Sequence, residues 1–214
     1  MTNVYDITRE FEKKLCEYTG APYVVCVDNA SNALFLALMW WRSKQLFSVR
    51  TGVVKPEITI PSRTYPSVPC EIIHAGCRVK FEPLPGMTLK GEYQLKPTPV
   101  WDSALRLTKG MYRPGQYQCI SFTGPRKHLK LSKGGAILTD NKEAYEWFKK
   151  ARYSGRGECD YHNDDFTMLG WNFYMMPELA ARGLLMLQAF PEHNEDVEVC
   201  YPDLSKFKIY VSNQ

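Results

Sequence analysis

Two rhythms of apolar and polar residues run along this chain, one of helical period and one of short continuous apolar bursts. Residues 7–18 place Phe11, Leu15 and Cys16 near helical spacing with charges between them, which predicts an amphipathic helix ended by Gly20 and Pro22. Tyr23–Val27 is a short apolar run, the mark of a strand buried on both faces. A very apolar helix follows, with Asp28 or Asn29 as its N-cap, and the polar stretch Arg42–Lys55 reads as a loop after it. "EITIPSRTY" gives a strand, a Pro-Ser turn and then a helix to about Ala75, and "CRVKFEPL" is the next strand. Pro83–Pro99 is rich in Pro, Gly and Lys and shows no clear element. "VWDSA", "YQCISF" and "GGAILTD" are three more strands, "NKEAYEWFKKARY" is an amphipathic helix, and a last helix begins at Pro177.

Strands alternating with helices predict an α/β fold: a three-layer sandwich with a mostly parallel sheet and helices on both faces. The 214 residues suffice for one large domain or one domain with a small appendage. A net charge of +4, spread without any block of like charges, suggests neither nucleic acid nor an anionic membrane as a partner. The opening residues carry charges of both signs and no apolar core of a secretory signal, and the run Ala33–Trp41 is too short to span a bilayer. Seven cysteines without a CxxC pair read as reduced thiols, and Cys159 with His162 lacks a second ligand pair, so no metal is expected. Together these point to a cytoplasmic protein.

In α/β sheets, ligands bind where loops leave the carboxyl ends of strands. Four such loops stand out here: "VDNAS", "IPSRTY", "VWDSA" and "ISFTGPRK". The stretch Asn29-Ala30-Ser31-Asn32 opens a helix, where free N–H groups and a hydroxyl can hold a phosphate. Tyr65 offers a flat ring for stacking, Asp102 a carboxylate, Ser121 a hydroxyl, and a lysine lies just beyond. Phosphate cradle, aromatic plate, carboxylate and amine are the parts that pyridoxal phosphate needs. The carboxylate keeps the ring nitrogen protonated and the lysine forms a Schiff base. Singly, each residue has an ordinary reading as a cap, a packing ring, a turn or a solvated charge.

The order of these segments resembles the DegT/DnrJ/EryC1/StrS family of sugar aminotransferases, of the type I pyridoxal-phosphate fold. "FEKKLCEYTGAPYVVCVDNASNALFLAL" is similar to the family's opening up to "NGTAAL". "VWDSA" stands where the family has "EDAAQ", and "ISFTGPRKHLKLSKGGAILTDN" where it has the lysine loop and "GEGGAIVT". "LGWNFYMMPELAARGLLMLQ" resembles the segment that carries "NYR". The resemblance implies a large cofactor-binding domain over 1–190 and a remnant of the C-terminal small domain over 191–214, with "DLSKFKIYVSN" as its one surviving strand. It assigns Ala30, Ser31 and Ser121 to the cofactor phosphate, Tyr65 to the ring face and Asp102 to the ring nitrogen. Asn172 would reach the phosphate across a homodimer interface. The implied substrates are a nucleotide-linked keto-sugar and glutamate as amino donor.

Departures from the family pattern are equally specific. Its glycine is Ala30 here, its glutamine or histidine after the aspartate is Leu105, its "NYR" arginine is Tyr174, and the acid before Gly-Gly is Lys133. Counted forward from Ser121, the family lysine falls on Arg126; counted back from Gly134-Gly135, it falls on Lys127. Arginine cannot form a Schiff base because it stays protonated, so Lys127 is the expected nucleophile. Burial, with Arg126 and His128 beside it, should lower its pKa. The alternative is a catalytically inactive dimeric relative that keeps the fold for binding or scaffolding.

Overall fold

A computed structural model describes residues 5–46 and 55–211. The chain runs through α1 (Asp6–Thr19), β1 (Tyr23–Val27), α2 (Ala30–Leu46), β2 (Glu57–Pro61), α3 (Ser67–His74) and β3 (Arg78–Glu82). Two-residue strands β4 (Leu89–Lys90) and β5 (Tyr93–Gln94) precede β6 (Val100–Asp102), β7 (Tyr117–Ser121) and β8 (Gly135–Thr139). Then come α4 (Lys142–Ala151), α5 (Pro177–Leu187), β9 (Glu198–Val199) and α6 (Lys208–Val211), with 3-10 turns at Tyr161–Asn163 and Leu204–Lys206.

The central sheet has the order β1-β8-β7-β6-β5 and is buried on both faces. Alternation along each strand divides the core. Val25, Val27, Cys119 and Ile137 point toward α2, α3 and α4. Val24, Cys26, Ile120, Ala136 and Leu138 point the other way, toward α1 and α5. Each fully buried side chain of that size stabilises by roughly 1.5–3 kcal/mol. On the second face Phe11 packs against Phe122 with ring centroids 5.7 Å apart. Gly183 lets α5 approach it, since a Cβ there would lie 2.5 Å from the Phe11 ring.

The layered α/β fold is as expected, and the sheet within it is mixed rather than mostly parallel. β6–β7 and the separate β2–β3 pair run parallel, while β1–β8, β7–β8 and β5–β6 are antiparallel. The cause lies in the connections: β7 to β8 and β5 to β6 are joined without a crossover helix, so each strand must return beside its neighbour. Three local expectations are corrected. The helix α2 continues through Arg42 to Leu46, and 47–54 of the expected loop lie outside the described residues. The Pro83–Pro99 segment contains β4 and β5. "DLSKFKIYV", read as a surviving strand, is instead a 3-10 turn and the short helix α6; the strand of this region is β9, which pairs with β4.

Strand β1 is the sheet edge, and its outward backbone groups are met by side chains. Glu12 accepts the Cys26 N–H at 2.7 Å, and Arg152 donates to the Cys26 carbonyl at 2.6 Å while pairing with Glu12. Asp28 N–H bonds the Phe173 carbonyl at 2.8 Å, so the 171–174 segment covers the rest of the edge. These bonds occupy the edge at Cys26 and Asp28, where another strand would otherwise pair.

Candidate active site

The strand ends β1, β6 and β7, together with the start of α2, open on one cavity of about 520 Å³. Ala30, Ser31, Tyr65, Asp102, Ser121 and Lys127 all line it. Six of the seven residues expected from the sequence are therefore together. The seventh, Asn172, is exposed, bridges to Tyr153 through its backbone and does not line this cavity.

The phosphate end is built by a close backbone approach. Asn29 caps α2, its side-chain oxygen accepting the Asn32 N–H at 2.8 Å. Asn29 also bridges to Gly134, and Gly135 is packed so tightly on the helix start that a Cβ would meet Ala30 N at 2.6 Å. The Gly-Gly pair thus has a steric origin: Gly134 adopts φ +128° and Gly135 makes room for the α2 N-terminus. Ser31 and Ser67 share a hydroxyl hydrogen bond of 2.5 Å at this end. Lys133, which replaces an acid of the family pattern, also lines the cavity and lies 3.7 Å from Asp28.

Asp102 ends β6 and is 6 % exposed. Its Oδ1 accepts the Ala104 N–H at 3.0 Å and its Oδ2 the Tyr93 hydroxyl at 3.0 Å. Burial raises its pKa, while those bonds and the nearby Lys127 charge pull it back down. Lys127 is half-buried and its pKa is lowered. Burial is the cause, as expected; the neighbouring charge that reaches it is Asp102, which opposes the shift, and not Arg126 or His128. His128 is occupied elsewhere, its ring nitrogen 2.8 Å from the Glu195 carbonyl oxygen. Arg126 lines the cavity but is exposed, and Lys130 is exposed and outside it. Of the loop cations, Lys127 is the one shielded from water beside the carboxylate.

Sequence pattern alone passes over Tyr93, Thr64 and Tyr201, which complete the walls. Tyr201 stands edge-on to the exposed ring of Tyr65, with centroids 6.1 Å apart, and Arg63 donates to the Tyr201 carbonyl at 2.9 Å. Leu105 is buried with Leu89 and Val199, making an apolar wall where the family pattern has a polar side chain. No motif marks Tyr93 or Tyr201, which come from segments with too little regular structure to read, and Thr64 sits in the "IPSRTY" loop beside the more conspicuous Tyr65.

The model of the DegT/DnrJ/EryC1/StrS aminotransferase family matches residues 1–83 and 109–201. The chain belongs to this family. The unmatched stretch between those blocks holds Tyr93 and Asp102. No curated protein sequence matches the chain. Among solved structures it is similar to PseC of Helicobacter pylori, an aminotransferase involved in the biosynthesis of pseudoaminic acid. That match has 17% identity and a TM-score of 0.65, over 87% of this chain and 58% of PseC. It is also similar to the PLP-form of Spr1654 from Streptococcus pneumoniae, at 20% identity and TM-score 0.64 over 86% and 59% of the two chains. A third is 3-amino-5-hydroxybenzoic acid synthase, at 19% identity and TM-score 0.65 over 86% and 56%. The chain therefore spans under two thirds of each of these structures, and at such identities the likeness establishes the type I fold of the family. Among the described residues, no helix is long and apolar enough to cross a membrane.

Proposed function

We propose that this chain is a pyridoxal-phosphate-dependent aminotransferase for a nucleotide-linked keto-sugar, with glutamate as amino donor. The observation that carries the reading is one cavity holding a buried carboxylate, Asp102, and a half-buried amine of lowered pKa, Lys127. The donor set suits the cofactor at each end. Ser31, Ser121 and the start of α2 form a cradle for a phosphate, Tyr65 offers a ring face, and Asp102 an anion for a protonated ring nitrogen. When bound, the cofactor supplies an electrophilic carbon and an electron sink. Lys127 Nζ would hold the cofactor's carbon and carry the proton, since burial enlarges its unprotonated fraction. Asp102 would hold a proton on the ring nitrogen. Arg126, exposed and lining the same cavity, cannot take the Lys127 role because it stays protonated.

Asn172, exposed and away from its own cavity, fits a homodimer in which it serves the partner subunit. Residues 191–214 are the remnant of a small domain, with Val199 and Tyr201 as its contribution to the wall. The buried Leu105 favours the second reading, a non-catalytic relative. Absorbance of the protein with added pyridoxal phosphate separates the two. A band near the visible edge, removed by borohydride, present in Arg126→Ala and absent in Lys127→Ala, supports the enzyme. A folded protein that gives no such band overturns it.

A further inference from the structure

Strand β5 lies opposite β6 with Tyr93 in direct register with Asp102. This cross-strand pair is also a hydrogen-bonded pair, the Tyr93 hydroxyl lying 3.0 Å from Asp102 Oδ2. A second hydroxyl, Thr64 Oγ1, lies 2.5 Å from the Tyr93 oxygen, and Thr64 is fully buried. With Asp102 ionised, one assignment of the protons satisfies all three groups. An ionised carboxylate can only accept, so Tyr93 donates to Asp102 and Thr64 donates to Tyr93. With Oδ1 held by the Ala104 N–H, both carboxylate oxygens are fixed, and each keeps a lone pair for a ligand in the cavity. Tyr93 and Thr64 both line that cavity, and Thr64 immediately precedes Tyr65.

We infer that Tyr93 is a positioning residue for Asp102, which its hydroxyl, oriented by Thr64, holds ionised and aimed at the cavity. The inference rests on the proposed cofactor reading for its purpose, and on this chain's own geometry for its substance. Hydrogen bonding to the charged form of a carboxylate favours ionisation. Burial works against it, and so does Glu92, the acidic neighbour of Tyr93 on the chain. The other titratable groups that feel the Asp102 charge are Cys119 on β7, Lys127 in the loop after it and Tyr201 of the C-terminal segment. Of these only Lys127 carries a compensating positive charge. In its unprotonated form, the form needed for chemistry, Lys127 no longer helps to hold Asp102 charged. The hydroxyl donor from β5 then carries that task, together with the Ala104 N–H. The donor is thus a residue of β5, within the Pro83–Pro99 segment.

The test uses cofactor-free protein carrying 13C at the aspartate carboxyl carbons, with the Asp102 signal assigned by its loss in Asp102→Asn. In Tyr93→Phe the titration midpoint of Asp102 should rise by about one pH unit, the loss of one hydrogen bond to a charged group. Replacing Tyr93 by 3-fluorotyrosine, a more acidic donor of nearly the same shape, should move it the opposite way. That arm also decides the matter should the phenylalanine variant fail to fold. Pyridoxal phosphate affinity is read alongside. Tyr93→Phe should weaken it about tenfold in the parent protein and hardly at all in the Asp102→Asn background. An unmoved Asp102 midpoint in folded variants, or equal weakening in both backgrounds, overturns the inference and leaves Tyr93 a packing residue. Failure of the parent protein to bind pyridoxal phosphate would instead sink the proposed function, and the cofactor-free titration would still decide the role of Tyr93.

Discussion

Substituting Gly135 by alanine should damage the site without removing a single polar group. The backbone of Gly135 is not in the left-handed region, so alanine carries no conformational penalty there, and the whole effect is steric. The added Cβ would lie 2.6 Å from Ala30 N, 2.8 Å from Asn29 C and 2.9 Å from Ala30 Cα, all backbone atoms. None of them can swing aside as a side-chain tip would. Relieving the nearest contact even to 3.0 Å requires the start of α2 to move 0.4 Å from β8. Overpacking of this kind costs about 1–3 kcal/mol. At an m-value of about 2–3 kcal/mol per M, the urea midpoint should fall by roughly 0.3–1.5 M. Gly157→Ala is the matched control, since its Cβ would meet nothing closer than the Cys159 sulfur at 3.4 Å. The Gly135 variant should also bind phosphate-bearing ligands more weakly, because Asn29, Ala30 and Ser31 move with the helix. Equal midpoints for the two alanine variants would refute the close-approach account of the Gly-Gly pair.

Two further outcomes follow from buried charges. Arg152→Met leaves Glu12 buried without its partner and the Cys26 carbonyl without its donor, so denaturation should show a loss of about 3–5 kcal/mol. Replacing Glu12 by Leu in the same chain should return part of that loss. Lys127, its pKa lowered by burial and partly restored by Asp102, should be labelled by amine-selective reagents with a midpoint below that of ordinary lysines. Asp102→Asn should lower the midpoint further, because it removes the charge that favours the protonated amine. A midpoint that rises in that variant contradicts the placement of the two groups.

Strongly periodic segments and junctions were legible from sequence. Phe11 and Leu15 announce α1, the unbroken run Tyr23–Val27 announces a strand buried on both faces, and Asn29 caps α2 as its position suggests. The site was legible wherever a strand end met a loop, which is why Ser31, Tyr65, Asp102, Ser121 and Lys127 converge. The Lys127–Arg126 choice could not be settled by counting, because one inserted residue shifts the register. The two differ in burial, Lys127 being half-buried and Arg126 exposed, and burial is a property of packing that counting does not reach. Tyr93 was invisible for a different reason: a strand of two residues has no period to detect. Strand direction was misjudged where β8 returns beside β7 without a helix, since apolar runs look alike in parallel and antiparallel sheets.

The pairing of β9 with β4 and the meeting of Tyr201 with Tyr65 have a temporal meaning. During synthesis the amino-terminal helix, the central sheet and the lysine loop all leave the ribosome before residues 197–201 do. The nascent chain can therefore bury its core while the cavity still lacks a side. The side of the cavity formed by Val199 and Tyr201 therefore joins after the strands and loops it closes on, through partners more than a hundred residues apart.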